Sequence, residues 1–196
     1  MFFLRFCTAI IGLIILAPFL AYSGTPDYPG APAASAADMP AANKGVASPN
    51  PRFTDNSNGT VTDNLTGLIW LQNANVAGAR NWAEALTDVE NLNRDGTMNG
   101  TSAGDTSNGG SHQTDWRLPN KNELARLTDS SNNNPALPSG YSSFFSGVQS
   151  DSYWSSDTLK GGIAYAWIVN MSDHGIMDTA HKTETCYVWP VRTGKK

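Results

Sequence analysis

The sequence predicts an α+β domain in which antiparallel strands flank two helices, and three observations lead to this class. Strand-like segments occur early, at residues 53–71, and late, at residues 152–192. Two helix signals lie between them, one from Trp82 and one after Pro119. Only 15% of the 196 residues are charged, and Gly, Asn, Ser and Thr are abundant. This composition favours a turn-rich domain over a helical bundle.

The first 51 residues precede the predicted domain, which we place at residues 52–193. Residues 1–23 resemble a secretory signal peptide with a positive Arg5, an apolar run and a small-residue cleavage site. An uncleaved membrane anchor is the alternative, although the run is short for a full span. Residues 24–51 are rich in Pro, Ala, Gly and Ser and predict a flexible, disordered linker. We therefore expect export, and no transmembrane helix after signal cleavage.

Charge and cysteine content narrow the classes of partner and site. The formal net charge is −4 and no basic run occurs, so nucleic acid is not an expected partner. The two cysteines are Cys7 and Cys186. Signal cleavage would remove Cys7, and no intramolecular disulfide could then form. Cys186 stands in an apolar segment and predicts a buried, inert thiol, with a reactive thiol or an intermolecular bridge as the alternative.

The amino-terminal half of the domain begins with a predicted hairpin. Phe53–Asp55 and residues 60–62 flank Asn56-Ser57-Asn58-Gly59, whose Asn-Gly pair is a strong turn signal. This segment superficially resembles an EF-hand calcium loop. However, Thr54 and Leu65 stand where that loop needs acidic residues, so a hairpin turn is favoured. Residues 68–72 are almost all apolar and predict a central strand.

A helix and a long polar segment follow. Apolar residues from Trp82 to Asn93 recur near the helical period, with Asp88 among the acidic residues assigned mostly to the other side. Residues 94–113 predict a polar loop of the length that is functional or disordered. Its candidate ligand-binding and metal-binding residues are Asp95, Asn99 and Asp105. Their oxygens suit calcium, the one candidate cofactor, and a solvated loop without metal is the alternative.

The stretch from Thr114 to Leu124 predicts a strand end, a corner and a capped helix start. Pro119 fixes the backbone, Asn120 is a good N-cap, and Glu123 completes a capping box. We expect this helix to run to about Asp129, and Arg117 and Glu123 to form a structural ion pair or capping network. The corner is expected to hold the polar loop in place. Trp116→Ala should then unfold the domain, whereas changes at Asp95 or Asp105 should leave folding intact.

The remaining sequence predicts four strands, at residues 152–156, 164–169, 175–177 and 185–192, with a hairpin turn at Asp173-His174-Gly175. Pairing of the first and last strands would close the domain. The polar residues Asp173, His174, Asp178 and His181 could converge on a metal, but ordinary turn polarity fits their spacing better. Most of the six Trp stand at strand or helix positions that are expected to face the core. Trp167, with Tyr165 in the same alternation, is the candidate for stacking on a sugar ring.

Three separated motifs carry a family resemblance. The first runs from Arg52-Phe53-Thr54-Asp55-Asn56 to Leu68-Ile69-Trp70, the second is Asp115-Trp116-Arg117-Leu118-Pro119-Asn120 with Glu123-Leu124, and the third combines Tyr153-Trp154-Ser155-Ser156 with Val191-Arg192. Together they resemble the Lcl C-terminal domain family, also called DUF1566, over most of residues 52–192. The residues of the structural signature are Trp70, Trp116, Arg117, Pro119, Glu123, Trp154 and Arg192.

The resemblance implies a C-type-lectin-like fold and a secreted, periplasmic or surface-exposed bacterial protein. The family is distantly similar to formylglycine-generating domains, which use a cysteine pair. Only Cys186 is available here, and the sequence contains no standard catalytic motif. We therefore expect a protein that is not an enzyme and that binds a glycan or surface protein as an adhesin or accessory module. The alternative is a structural or protein-interaction component of the bacterial envelope or an extracellular filament.

Overall fold

The computed structural model describes residues 49–194, so the predicted signal peptide and nearly all of the predicted linker lie outside the described residues. The α-helices are α1 (Trp82–Asp95) and α2 (Lys121–Leu127), and the strands are β1 (Phe53–Asp55), β2 (Thr60–Asp63), β3 (Leu68–Leu71), β4 (Thr97–Met98), β5 (Thr101–Ser102), β6 (Ser152–Leu159), β7 (Gly162–Asn170), β8 (Ile176–His181) and β9 (Val191–Thr193). Antiparallel sheets with two helices confirm the predicted α+β class. No helix in this part of the chain is long and apolar enough to span a membrane.

The first sheet has the strand order β1-β2-β3-β9, and each neighbouring pair is antiparallel. β1 and β2 form the predicted hairpin, and β3 is central as predicted. The last strand pairs with β3, where Ile69 stands opposite Arg192, and not with the first strand. β3 is suited to pair with strands on both sides because three of its four residues are buried, whereas Thr54 and Asp55 of β1 are exposed. A partly polar strand is suited to a sheet edge.

The second sheet has the order β6-β7-β8 and is also antiparallel. The turn predicted at Asp173-His174-Gly175 lies between β7 and β8, and both His174 and Gly175 have positive φ. β8 continues to His181, so the prediction of a strand ending at residue 177 was too short. Alternate residues of β7 and β8 share a face, since Tyr165 stands opposite His181 and Trp167 opposite Thr179.

Both helices begin with a complete capping box. Asn81 and Glu84 cap α1, and Asn120 and Glu123 cap α2 as predicted. α1 ends at Asp95, two residues beyond the predicted end, and is followed by a left-handed Gly96, while α2 ends at Leu127, two residues before Asp129. The expectation that Asp88 lies on the solvent side of α1 is wrong, because its side chain is 2% exposed.

The segment of residues 96–116, here called the cover segment, differs from the irregular polar loop that was predicted. It contains the β4–β5 hairpin, and Met98, Ala103 and Asp105 are buried. The backbone N–H of Thr106 donates to the carbonyl of Asn58 at 2.9 Å. The cover segment is therefore packed against the β1–β2 hairpin.

The core is built around large aromatic side chains. Trp70, Tyr153, Trp154 and Trp189 have no exposed surface. The ring of Trp189 contacts Trp70, Phe145 and Tyr153, with centroid distances of 5.6, 5.0 and 5.6 Å. The contacts with Trp70 and Phe145 are edge-on and that with Tyr153 is tilted, and aromatic contacts of this kind add to the free energy gained from burying the ring area. Cys186 is also buried, as predicted.

Candidate functional site

The corner at Trp116 connects α1, the cover segment and α2. Trp116 is 3% exposed, and its indole Nε1 donates to Oδ2 of Asp105 at 2.8 Å. The side-chain amide of Asn93 donates to the Trp116 carbonyl and accepts from the Trp116 N–H, both at 2.8 Å. The corner is thus held on both sides by side chains distant in the chain.

Arg117 and Glu123 form a two-point ion pair beside the start of α2. The two guanidinium nitrogens lie 2.7 Å from the two carboxylate oxygens, and Glu123 also accepts the Asn120 N–H at 2.8 Å. Burial opposes ionisation of Glu123, but the hydrogen bonds from Arg117 and Asn120 hold its pKa below the usual value. The hydrogen bonds that Arg117 donates to Glu123 in turn raise the pKa of Arg117. Because the two groups satisfy each other, this geometry is that of a structural pair.

Arg192 is the last residue of the predicted structural signature. It is 6% exposed and lies opposite Ile69, with its guanidinium carbon 5.6 Å from the ring centre of Trp116. Its nearest carboxylate is Asp115, at 3.7 Å. The position indicates a role in packing the sheet against the corner.

The three polar residues predicted as ligands have three separate roles. Asp95 is exposed and accepts hydrogen bonds from Thr97, while Arg94 pairs with it at 2.8 Å. The backbone N–H of Asn99 donates to buried Asp88 at 2.8 Å, and the Asn99 side chain donates to a backbone carbonyl. The Asp105 carboxylate accepts from Trp116 and from backbone N–H groups within the cover segment.

Asp105 is therefore not a solvated loop residue, and these contacts lead us to expect that its replacement destabilises the fold, contrary to the expectation from the sequence. Burial favours the protonated carboxyl, yet donors from Gln113, Ser107 and Trp116 hold the pKa of Asp105 below its usual value. Such a carboxylate is already satisfied by protein donors. Within residues 49–194, no group of three or more His, Cys, Asp or Glu side chains is arranged to hold a metal ion.

The aromatic candidates Tyr165 and Trp167 lie together on one face of β7, with Ile163 in the same alternation. We call these three residues the β7 strip. Ile163 is 84% exposed and Tyr165 42%, while Trp167 is half-buried. Successive residues of the strip are two positions apart in the strand, which corresponds to about 7 Å. The strip thus presents adjacent apolar and aromatic side chains at the surface.

Polar side chains border the strip. The Lys121 ammonium lies 3.9 Å from the centre of the Trp167 ring, and the Tyr165 ring meets the His181 ring edge-on at 5.1 Å. His181 Nδ1 lies 2.7 Å from the hydroxyl of Thr183. An aromatic surface with polar groups at its edge can bind a ligand that has both apolar faces and hydroxyl groups.

The family model for the Lcl C-terminal domain matches residues 59–192. The chain belongs to the Lcl C-terminal domain family. The match includes the corner, both helices and all of the second sheet, and it confirms the family resemblance read from the three motifs. No curated protein matches the chain at the significance level applied.

This Lcl C-terminal domain also has an open groove of about 340 Å³ between α1 and the corner. Its walls are formed by Leu86, Val89, Glu90, Asn93, Trp116, Arg117, Leu118 and Ser156. Sequence reasoning did not find this groove, because its walls come from three separate parts of the chain. The β7 strip, in contrast, could be read from the alternation of Tyr165 and Trp167.

Proposed function

We propose that this protein is an exported bacterial binding protein, secreted, periplasmic or on the cell surface, that recognises a glycan or cell-surface partner without catalysis. The C-type-lectin-like arrangement implied by the resemblance is part of this proposal. The observation that supports it is the β7 strip, where Tyr165 is exposed beside Trp167 and a lysine ammonium. Aromatic rings combine an apolar face with polar edges, as sugar recognition requires.

A non-catalytic role agrees with the chemistry of the corner. Arg117 and Glu123 bind each other at two points, so neither is poised as a general acid or base. Cys186 is buried, and signal cleavage would leave it as the one cysteine of the chain. A cysteine-pair mechanism then lacks its second thiol.

The alternative proposal, a structural or protein-interaction component of the envelope or a filament, has support from Ile163. This side chain is 84% exposed on the same strip, and exposed apolar residues can mark protein contacts. In the leading proposal Tyr165 is needed to bind a glycan, whereas in the alternative it is needed to bind a protein.

A glycan array with the purified protein, run with calcium and again with EGTA, tests the leading proposal. Glycan binding should fall about threefold to tenfold in Tyr165→Ala and Trp167→Ala, because each change removes an aromatic stacking surface. Ile176→Ala is the matched control, since Ile176 is 51% exposed on the other face of the same sheet. No glycan binding, with a protein that co-purifies only when Tyr165 is present, would favour the alternative.

A further inference from the structure

We propose that the β7 strip binds an uncharged glycan and that Lys121 selects its hydroxyl groups. This inference rests on the proposed function and names the ligand class of the same site. It comes from the distribution of charge over the domain and from the environment of one lysine.

The domain carries few cations that could attract an anionic glycan. Residues 52–192 contain 15 Asp and Glu against 9 Lys and Arg, which gives a net charge of −6. Five of the nine cations already pair with carboxylates: Arg52, Arg80, Arg94, Arg117 and Arg192. A polyanion needs a cluster of unpaired cations, whereas an uncharged ligand does not have to overcome this repulsion.

Lys182, one of the four remaining cations, is directed away from the strip. Lys182 lies over the Trp82 ring at 3.8 Å and bonds to Thr158. Thr158 pairs with Ala166, and so belongs to the opposite sheet face from Tyr165. Among the described residues, the ammonium group found in contact with the β7 strip is that of Lys121.

Lys121 is placed to donate hydrogen bonds to a ligand. Its backbone N–H donates to Asp157 at 2.7 Å, which fixes the residue at the start of α2. Within residues 49–194, its ammonium has no carboxylate at ion-pair distance and lies over the Trp167 ring. An ammonium has three N–H donors, which match the oxygen atoms of hydroxyl groups.

The same ammonium discriminates against a purely apolar ligand. An apolar side chain placed on Trp167 would remove Lys121 from water without offering it an acceptor, which costs free energy. A sugar ring can place its C–H face on Tyr165 and a rim hydroxyl on Lys121. The pairing of a ring surface with one cation therefore favours an uncharged, hydroxyl-bearing ligand.

The experiment measures the affinity of the full chain for three oligosaccharide panels: uncharged hexoses and N-acetylhexosamines, uronates, and sulfated sugars. Each panel is measured at low and at moderate salt. We expect binding to the uncharged panel, independent of salt. Lys121→Met keeps an unbranched stem over Trp167 but removes the donors, and should weaken this binding about fivefold. Lys121→Arg should restore most of it, and Ile176→Ala should leave it unchanged.

The possible outcomes separate the two levels of the proposal. Binding that is restricted to uronate or sulfated sugars and is weakened by salt would overturn the uncharged ligand class, while leaving glycan recognition in place. Uncharged binding that is the same in Lys121→Met would overturn the role of Lys121. A folded protein that binds none of the three panels would overturn the proposed function itself.

Discussion

The indole nitrogen of Trp116 donates a 2.8 Å hydrogen bond to the carboxylate of Asp105, and this bond joins the corner, where the cover segment ends, to the middle of that segment. The same carboxylate accepts the backbone N–H groups of Ser107 and Gln113 at 2.9 and 2.8 Å. Three donors from different points of the segment thus converge on one buried acid. The cover segment is an ordered part of the domain because of these bonds, even though its composition is polar.

Replacement of this acid should destabilise the fold. Asp105→Ala would leave three donors without their acceptor, and we expect a loss of about 2–3 kcal/mol in the free energy of unfolding. This loss corresponds to a melting temperature about 5–10 °C lower. Thermal denaturation followed by near-UV circular dichroism measures it.

Asp95→Ala is the matched control at the end of α1, directly before the cover segment, because Asp95 is exposed and its partners remain accessible to water. Its melting temperature should stay close to that of the unchanged protein, because surface substitutions have little effect on stability. Equal losses in the two variants would contradict the distinction between a buried anchor and a surface residue.

Acid should weaken the domain through Asp105 and Glu123. Both carboxyls have a lowered pKa in the folded state, so the unfolded chain takes up more protons as the pH falls. Their contribution is present above the ordinary carboxyl pKa of about 4 and is lost as the pH falls through the lower folded values. Urea denaturation between pH 6 and pH 3 should show a falling midpoint, and the fall should be shallower in Asp105→Asn. The same pH dependence in both proteins would contradict a contribution of Asp105 to the acid sensitivity.

The difference between what could and could not be read from the sequence is one of distance along the chain. Asn120 and Glu123 form a capping box within four residues, so local spacing was enough to predict it. Asp88, in contrast, bonds to Arg80 and Asn99, which are eight and eleven residues away in the chain. These bonds depend on how the fold brings the three residues together. A polar residue without a local partner looks like a surface residue, and for that reason Asp88 was assigned away from the apolar side of its helix and Asp105 to an accessible polar loop.

The same limit applies to the candidate site. Alternation along one strand placed Tyr165 and Trp167 on a common face, which needs only the period of a β-strand. The Lys121 ammonium over Trp167 could not be predicted, because it depends on the packing of α2 against the second sheet. Sequence reasoning therefore found the aromatic part of the strip and missed its polar partner.

The two-point ion pair should make the second capping box stronger than the first. Glu123→Gln keeps a capping oxygen but weakens two 2.7 Å bonds to Arg117, and we expect a loss of about 1.5–3 kcal/mol. Glu84→Gln is the control, since Glu84 has the same cap position in α1 but lies 3.9 Å from Arg80. Its loss should stay below about 1 kcal/mol. Urea denaturation of both variants gives the comparison, and a larger loss for Glu84→Gln would refute it.

The contact between the cover segment and the first hairpin can be isolated with two glycines of similar backbone conformation. Gly59 and Gly67 have φ of +79° and +72°, so alanine is strained at either position. A Cβ at Gly59 would also overlap the carbonyl of Gly104, whereas nothing lies within 4 Å of a Cβ at Gly67. Gly59→Ala should therefore destabilise the domain by about 1–3 kcal/mol more than Gly67→Ala. Equal unfolding midpoints in urea would mean that the cover segment does not pack closely on the β1–β2 turn.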